Sequence, residues 1–184
     1  QVDSSFLYLE KSVQAGFLHY DRIQNNVQYD ILKQQQPERY QKIIDVLKKK
    51  ERDGLIAKGY DAAMYYLLDS LTQIDQRIRS ISHNPRMEFT DAQKDSIDWA
   101  FCQIEAAGVA ALQKIIKEKG SIPTISVVGK KGEVNAFLLA QHADRHIGFQ
   151  KEYLRLMREA DPKEINPEHI AYLTDRVLVG EGIP

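Results

Sequence analysis

The stretch that decides the fold class is YDAAMYYLLDSLTQIDQRIRSI, at residues 60–81. Apolar residues recur in it at intervals of three and four, at Met64, Leu67, Leu71, Ile74 and Ile78. This interval matches the turn of an α-helix and differs from the two-residue alternation of a half-buried β-strand. The stretch therefore predicts one long amphipathic helix with these five residues on its buried face.

The same periodicity covers most of the chain, which predicts an all-α fold of six or seven helices in a single multi-helix domain. Start and stop signals such as the capping box Thr90–Gln93 and the stop at Gly120 divide it. The predicted segments are about 4–15, 17–34, 37–52 (with Gly54 as its stop), 60–81, 91–120, 133–160 and 167–179. Residues 121–132 lack this period and are rich in β-branched side chains, which predicts a short irregular or strand-like segment. We expect an N-terminal helical region, 1–59, to pack on a helical domain, 60–184.

Composition limits the classes of function open to this chain of 184 residues. Charged residues make up 28% and hydrophobic residues 43%, the values of an ordinary soluble globular protein. Lysine and arginine number 25 against 26 acidic residues, so the basic surplus typical of nucleic-acid binders is missing. The single cysteine, Cys102, excludes an internal disulfide and a cysteine-based zinc cluster. No apolar run approaches the roughly 18 residues of a membrane span, so we expect no membrane insertion.

Position 1 is Gln1 and not methionine, which indicates a processed or trimmed chain. This slightly favours an exported, periplasmic protein with its signal removed over a cytoplasmic one. The single cysteine suits both compartments.

A polar motif, Gln141-His142-Ala143-Asp144-Arg145-His146, lies within the predicted helix 133–160. On a continuous helix His142 and Arg145 share a side, and Asp144 points about 200° away. Any carboxylate that orients His142 must therefore come from another segment. Two interpretations stay open: a half-buried histidine bonded to a backbone carbonyl, and a general base that titrates near neutral pH.

Metal binding is a third hypothesis, because His142 and His146 have the four-residue spacing of two zinc ligands on one helical face. The zinc-protease motif has glutamate directly after its first histidine, and this chain has Ala143 there. Zinc needs at least three protein ligands, and a third would have to come from His169 or Glu181. We predict neither a metal nor another cofactor.

Two further polar groups are candidates for a site: Asp75 and Arg79 in one helix, and Asp175 and Arg176 in the last helix. Adjacent helical residues diverge by about 100°, so Asp175 and Arg176 can meet different helices. Structural ion pairs and parts of a polar pocket are both compatible with this pattern.

Several motifs together resemble the bacterial domain of unknown function 6624 family, over residues from about 60 to 184. They are Gly120-Ser121-Ile122-Pro123-Thr124, Gln141-His142-Ala143-Asp144, Ala171-Tyr172-Leu173-Thr174-Asp175-Arg176-Val177 and, upstream, Asp75-Gln76-Arg77-Ile78-Arg79. The chain departs from the family at Ile122, where tryptophan is usual. The family pattern also continues beyond the Gly-x-Pro step into a tail. The resemblance implies functional weight for His142, Asp144, Asp175 and Arg176, and it implies no known activity.

These observations lead to two hypotheses of different kinds. In the first, the protein is a hydrolase or transferase acting on a small molecule, with His142 as general base and Asp175 as its orienting carboxylate. Arg145 or Arg176 would bind an anion, and the further binding residues would be Gln141, Asp144, Asp75 and Arg79. In the second, the same groups form a structural polar network in a binding or scaffold module whose N-terminal helices meet a partner protein. A carboxylate within hydrogen-bond reach of His142 is a requirement of the first hypothesis.

Overall fold

Every regular element that the computed structural model describes is helical; it describes residues 2–16, 22–23 and 26–183. Over these ranges there are eight α-helices and no strand, which confirms the all-α prediction with one or two helices more than expected. The helices are α1 (Val2–Gln14), α2 (Asp30–Gln35), α3 (Pro37–Ala57), α4 (Ala62–Ser82), α5 (Asp91–Lys119), α6 (Ile125–Gln141), α7 (Ile147–Glu159) and α8 (Pro167–Gly180). A short 3-10 helix, Val27–Tyr29, precedes α2. No helix of the described ranges is long and apolar enough to cross a membrane.

Two predicted boundaries in the second half of the chain were wrong. The segment 121–132 becomes helical at Ile125 and bends at Gly129, whose backbone has φ 72° and ψ 169°. Because the helix bends at Gly129, the apolar residues before and after it do not follow one continuous helical period. The sequence pattern therefore does not indicate a helix there. The predicted helix 133–160 is two helices, because α6 ends at Gln141 and α7 begins at Ile147.

The predicted segments in the first half also need correction. Helix α3 passes through Gly54 and ends at Ala57, three residues beyond the predicted stop. The prediction also included a helix over 17–34. Most of its first part lies outside the described residues, namely 17–21 and 24–25. The described remainder contains Val27–Tyr29 and α2 in place of one continuous helix.

The chain divides into two compact units, one up to Gly59 and one from Tyr60 onward. The first unit has its own core, formed by Phe6, Leu9, Val13, Ile23, Leu32, Tyr40, Ile43, Ile44 and Leu47. Arg39 covers this core: its guanidinium lies 4.7 Å from the ring centre of Phe6 and donates to both carboxylate oxygens of Glu10. That the two units pack into one domain stays a prediction.

The second unit packs α4, α5 and α6 together, with α7 and α8 against the same core. Its buried side chains include Ala136, Ala140, Ala143, Leu154 and Met157. Gly108 allows α5 to approach α6 closely, since a Cβ there would lie 3.3 Å from Cδ2 of Leu139. This packing places the end of α6 beside both α4 and α5.

Helix α4 forms where the periodicity predicts it, but only part of the predicted face is buried: Met64 lies in the core and Leu71 packs against it. Leu67 and Ile74, members of the predicted buried stripe, are 42% and 51% exposed. Asp69, Thr72 and Asp75 are buried in their place. Burial of polar side chains is unfavourable unless they find hydrogen-bond partners, and the neighbouring helix supplies these.

Candidate functional site

Helix α6 satisfies the polar face of α4 along two turns. Asn135 donates through Nδ2 to Oδ1 of Asp69 at 3.1 Å, and Thr72 donates to the carbonyl oxygen of Asn135 at 3.2 Å. Nζ of Lys131 lies 3.1 Å from the same Oδ1 of Asp69. Burial opposes the charge of Lys131, yet Asp69 and Tyr65 outweigh it and hold the Lys131 pKa above its ordinary value. These bonds compensate the lost hydration of α4 and explain why its polar face is the buried one.

The central pair of the site is His142 and Asp75, one turn further along α4. Nδ1 of His142 lies 2.6 Å from Oδ2 of Asp75, and the two side chains are 12% and 3% exposed. A carboxylate only accepts hydrogen bonds, so the ring donates through Nδ1 and its Nε2 carries the lone pair when the ring is neutral. The required carboxylate is therefore present, and it is Asp75.

Arg79 binds the other oxygen of the same carboxylate. Its Nε donates to Oδ1 of Asp75 at 2.9 Å, and its guanidinium lies 5.2 Å from the ring centre of Phe101 on α5. Gln76 donates to Oδ2 of Asp75 at 3.0 Å. Nη2 of Arg79 is buried and has no hydrogen-bond partner among the described residues. Arg79 and His142 thus lie side by side on one carboxylate.

The pKa of Asp75 results from opposing effects. Burial favours the neutral acid and raises the pKa, whereas the hydrogen bond and charge of His142, followed by Arg79, lower it. The partners outweigh burial, and the Asp75 pKa lies below its ordinary value of 3.8. Asp75 is therefore an anion at neutral pH and can stabilise a positive charge on the imidazole ring.

Arg145 connects the site to α5. Its Nη1 donates to Oε1 of Glu105 at 2.9 Å, and its Nη2 donates to the exposed Asp98. The Glu105 side chain is only 4% exposed, and within the described residues its Oε2 is buried without a partner. Glu105 was not predicted from the sequence. Its position, four residues from both Phe101 and Val109 on the apolar face of α5, is the signal that could have identified it.

The predicted partner of His142, Asp175, is in a different place. Asp175 is exposed on α8, two positions after the fully buried Leu173, so it points away from the core. The pairing of His142 with Asp175 was wrong, because the carboxylate that meets the ring is Asp75. Arg176, next to Asp175, lies 3.8 Å from Asp144, and both of these side chains are exposed to solvent in part.

The connection between α6 and α7, residues 142–146, also differs from the helical prediction. The prediction that His142 and Arg145 share a side assumed a continuous helix. It does not hold, because α6 ends at Gln141. His142 reaches α4 and Arg145 reaches α5 instead. The main-chain oxygen of Gln141 accepts a hydrogen bond at 2.9 Å from the buried side chain of Gln150, which fixes the end of α6.

A second histidine–carboxylate pair lies in the core of the same unit and was not predicted. Nδ1 of His169 is 2.9 Å from Oε1 of Glu133, and the His169 ring stacks on Phe137 with 3.9 Å between ring centres. Nε2 of His169 is 3.5 Å from the Nδ2 of Asn166, the N-cap residue of α8. Burial, with a smaller contribution from Glu133, raises the pKa of Tyr153 far above its ordinary value. This pair joins α6 to α8.

The histidine spacing that suggested zinc does not lead to a ligand set. Across residues 2–16, 22–23 and 26–183, no group of three or more His, Cys, Asp or Glu side chains is arranged so that it could hold a metal ion. His169, the proposed third ligand, is bonded to Glu133.

Comparison with known proteins adds a family and no activity. The family described as "Family of unknown function (DUF6624)" has a model that matches residues 61–184, about two thirds of the chain. No curated protein and no solved structure matches this sequence. The matched region contains every residue of the site described above.

Proposed function

We propose that this chain, which belongs to the family of unknown function DUF6624, is a hydrolase or a transferase with His142 as its general base. The observation that carries the proposal is the 2.6 Å hydrogen bond between Nδ1 of His142 and Oδ2 of Asp75. A carboxylate in this position selects the tautomer in which Nε2 can accept a proton, and it stabilises the imidazolium that results.

The chemistry follows from this tautomer. Nε2 of His142 removes the proton from a water molecule in a hydrolase, or from the hydroxyl group of an acceptor in a transferase. The oxygen forms a bond to the electrophilic centre of the substrate, and the bond to the leaving group breaks. His142 then returns its proton to the leaving group, so the ring ends the cycle neutral. Asp75 stays ionised throughout and keeps the ring in place.

Comparison of the two histidines supports a role for His142 beyond packing. The ring of His169 is hydrogen-bonded to Glu133, is stacked on Phe137 and has its Nε2 next to Asn166. His142 lies directly after the end of α6, next to a connection that includes the exposed residues Asp144 and Arg145. Its side chain is 12% exposed, against 9% for His169, and a general base needs contact with a reactant.

The alternative is a non-enzymatic binding or scaffold module in which the same residues form a structural network. The observation that favours it is the burial of Asp75, which joins α4 to the end of α6 through His142. Buried polar groups of this kind can specify how helices pack. In that case the loss of His142 would change stability and no activity.

The test compares two matched variants, His142→Gln and His169→Gln, on p-nitrophenyl acetate, p-nitrophenyl phosphate and bis(p-nitrophenyl) phosphate. Loss of a general base lowers the rate by about 100-fold or more. We expect this loss of rate in His142→Gln. In His169→Gln the rate should fall only in proportion to the fraction of the protein that is unfolded. Equal losses in the two folded variants, or no turnover by the parent protein, would favour the structural alternative.

A second test needs no substrate. The ¹⁵N chemical shifts of the imidazole nitrogens identify which ring nitrogen carries the proton. We expect the neutral ring of His142 to be protonated at Nδ1 in the parent protein. In Asp75→Asn this preference should weaken, because an amide can present either its oxygen or its N–H₂ group to the ring and carries no charge. A neutral His142 ring protonated mainly at Nε2 in the parent protein would contradict the proposed base.

A further inference from the structure

Two buried polar atoms beside the His142–Asp75 pair have no partner among the residues described: Nη2 of Arg79 and Oε2 of Glu105. Buried polar atoms are almost always paired in folded proteins, so each of these needs an explanation. One is a donor and the other an acceptor, and each side chain is already hydrogen-bonded through another atom, Nε in Arg79 and Oε1 in Glu105. They are the strongest indication of a ligand in the second unit.

The two atoms belong to the same region of the fold. The guanidinium of Arg79 lies over the ring of Phe101, and Glu105 follows Phe101 by one turn of α5. On the other side, Arg79 shares Asp75 with His142, and Glu105 is bonded to Arg145, three residues after His142. Both unpartnered atoms and the proposed base therefore belong to the region where α4, α5 and the connection after α6 meet.

The charges of this region argue against an anionic ligand. It contains two guanidinium groups, Arg79 and Arg145, and three carboxylates, Asp75, Asp98 and Glu105. With a neutral His142 the sum is one negative charge, and each guanidinium is already bonded to a carboxylate. An incoming carboxylate or phosphate would meet the free oxygen of Glu105 in a region of low exposure, where repulsion between like charges is strong.

We propose that Arg79 and Glu105 form a subsite for an uncharged ligand group that both accepts and donates hydrogen bonds, a hydroxyl or a carboxamide. Its oxygen accepts from Nη2 of Arg79, and its O–H or N–H donates to Oε2 of Glu105. The role of this group as part of the substrate rests on the proposed function. Binding itself does not depend on catalysis. The anion-binding role expected for Arg145 from the sequence is replaced by a contact with Glu105.

Entry to the subsite requires a side chain to move, because neither unpartnered atom is accessible in the structure. Arg145 is suited to this movement. It is exposed and is bonded to the buried Glu105 and the exposed Asp98 at the same time. When Arg145 releases Glu105, it keeps Asp98 as an ionic partner. The charge of Arg145 therefore stays paired when the subsite opens.

The test uses a matched pair of small probes, acetamide and acetate, which have the same shape and differ in charge and in the ability to donate. Glycerol is added as a hydroxyl probe, so that the hydroxyl and carboxamide classes are distinguished. The full chain is titrated and the ¹⁵N–¹H signal of Arg79 Nε is followed. With four non-hydrogen atoms, acetamide can bind with a dissociation constant of roughly tens of micromolar at best. We expect a saturable shift with acetamide or glycerol and none with acetate.

The variant Glu105→Gln tests the acceptor directly. Its amide oxygen still accepts from Arg145, while an N–H₂ group stands where Oε2 was and one negative charge is removed. We expect acetamide binding to weaken about tenfold, the factor given by one lost hydrogen bond, and acetate to become the better ligand. The control Glu133→Gln changes another buried carboxylate, the one bonded to His169, and should keep the parent preference for acetamide over acetate.

The proposal is overturned if acetate binds the parent protein as well as acetamide does, or if none of the three probes produces a saturable shift. These outcomes are independent of Glu105→Gln, so they decide the matter even if that variant does not fold. Failure of the proposed function looks different: the neutral probes then bind as expected, while His142→Gln leaves turnover unchanged or the parent protein has none.

Discussion

Asp75 and His142 are 67 positions apart in the sequence, and a 2.6 Å hydrogen bond joins them where α6 ends. The bond connects the buried face of α4 to the first residue after α6. Asp75 also accepts from Arg79 and Gln76, so one carboxylate organises three donors. The stability and the chemistry of this region therefore both depend on the Asp75 carboxylate.

A double-mutant cycle tests this connection. We expect Asp75→Asn and His142→Gln each to lower the free energy of unfolding by about 1–3 kcal/mol, because each leaves a buried group without its partner. The double variant should lose less than the sum, with a coupling of about 0.5–3 kcal/mol measured by urea unfolding. The same cycle between Asp75 and His169, which are not bonded to one another, serves as the control and should be additive. Additive losses in the first cycle would contradict the coupling.

Acid should destabilise the protein through Asp75. The folded-state pKa of this carboxyl is below 3.8, so its contribution to stability is complete above that pH. The contribution is lost as the pH falls below 3.8 and through the folded-state value. The hydrogen bond from the backbone N–H of Met64, followed by Lys119, also holds the pKa of Asp61 below its ordinary value, so the parent curve has several contributions. The difference between the parent protein and Asp75→Asn isolates one of them: the variant should lose stability less steeply in this range. Parallel curves would contradict the assignment.

The buried pair of Glu133 and His169 predicts a large effect of a single change. His169→Leu leaves the Glu133 carboxylate buried without its partner, which costs about 3–5 kcal/mol in the free energy of unfolding. The double variant with Glu133→Leu removes the charge as well and should recover part of this loss. Chemical denaturation of both variants measures the two values. If the double variant is the less stable one, the pair is not an ion pair of this kind.

The bend in α6 depends on Gly129. Its φ of 72° and ψ of 169° fall in a region open almost only to glycine, and a Cβ would lie 2.8 Å from Cε2 of Tyr60. Gly129→Ala should therefore lower the free energy of unfolding by about 1–3 kcal/mol. Thermal and urea unfolding measure this loss, and an unchanged midpoint would contradict the described bend.

Gly54 is the matched glycine at which alanine should be favourable. It lies inside α3, and a Cβ there would meet no atom within 4 Å. Gly54→Ala should raise the free energy of unfolding by about 0.4–1 kcal/mol, since alanine loses less conformational freedom in a helix than glycine does. A loss of stability would show that α3 ends at Gly54, as the sequence suggests.

Periodicity predicted α4, and it failed on the buried face for a physical reason. The pattern counts apolar side chains along one segment, so it selected Leu67 and Ile74. Whether Asp69 and Asp75 can be buried depends on Asn135 and His142, which lie more than 60 positions away in the sequence. A single sequence shows that such partners exist and does not show which of them meet.

The same limit explains the rest of the outcome. Ala140, Ala143 and Ile147 keep the spacing of a helix across a connection that is not helical, so the break after Gln141 was hidden. Capping signals depend only on adjacent residues, and the predicted start of α5 after Thr90 is confirmed. The identity of the carboxylate at His142 depends on tertiary packing. Asp75 was among the candidate binding residues, and its contact with His142 was not predicted.

Ala143 lies between His142 and the exposed residues Asp144 and Arg145, and it is completely buried in the core. A methyl group thus packs in the core at this point, between the hydrogen bonds that His142 and Arg145 make to α4 and α5. A larger residue at position 143 would lift the backbone on which His142 and Arg145 are both mounted, and the two would move together. The volume of the side chain at position 143 therefore affects two distances, that of His142 from α4 and that of Arg145 from α5. This makes position 143 a place where the spacing of the site can be adjusted without changing any of its polar groups.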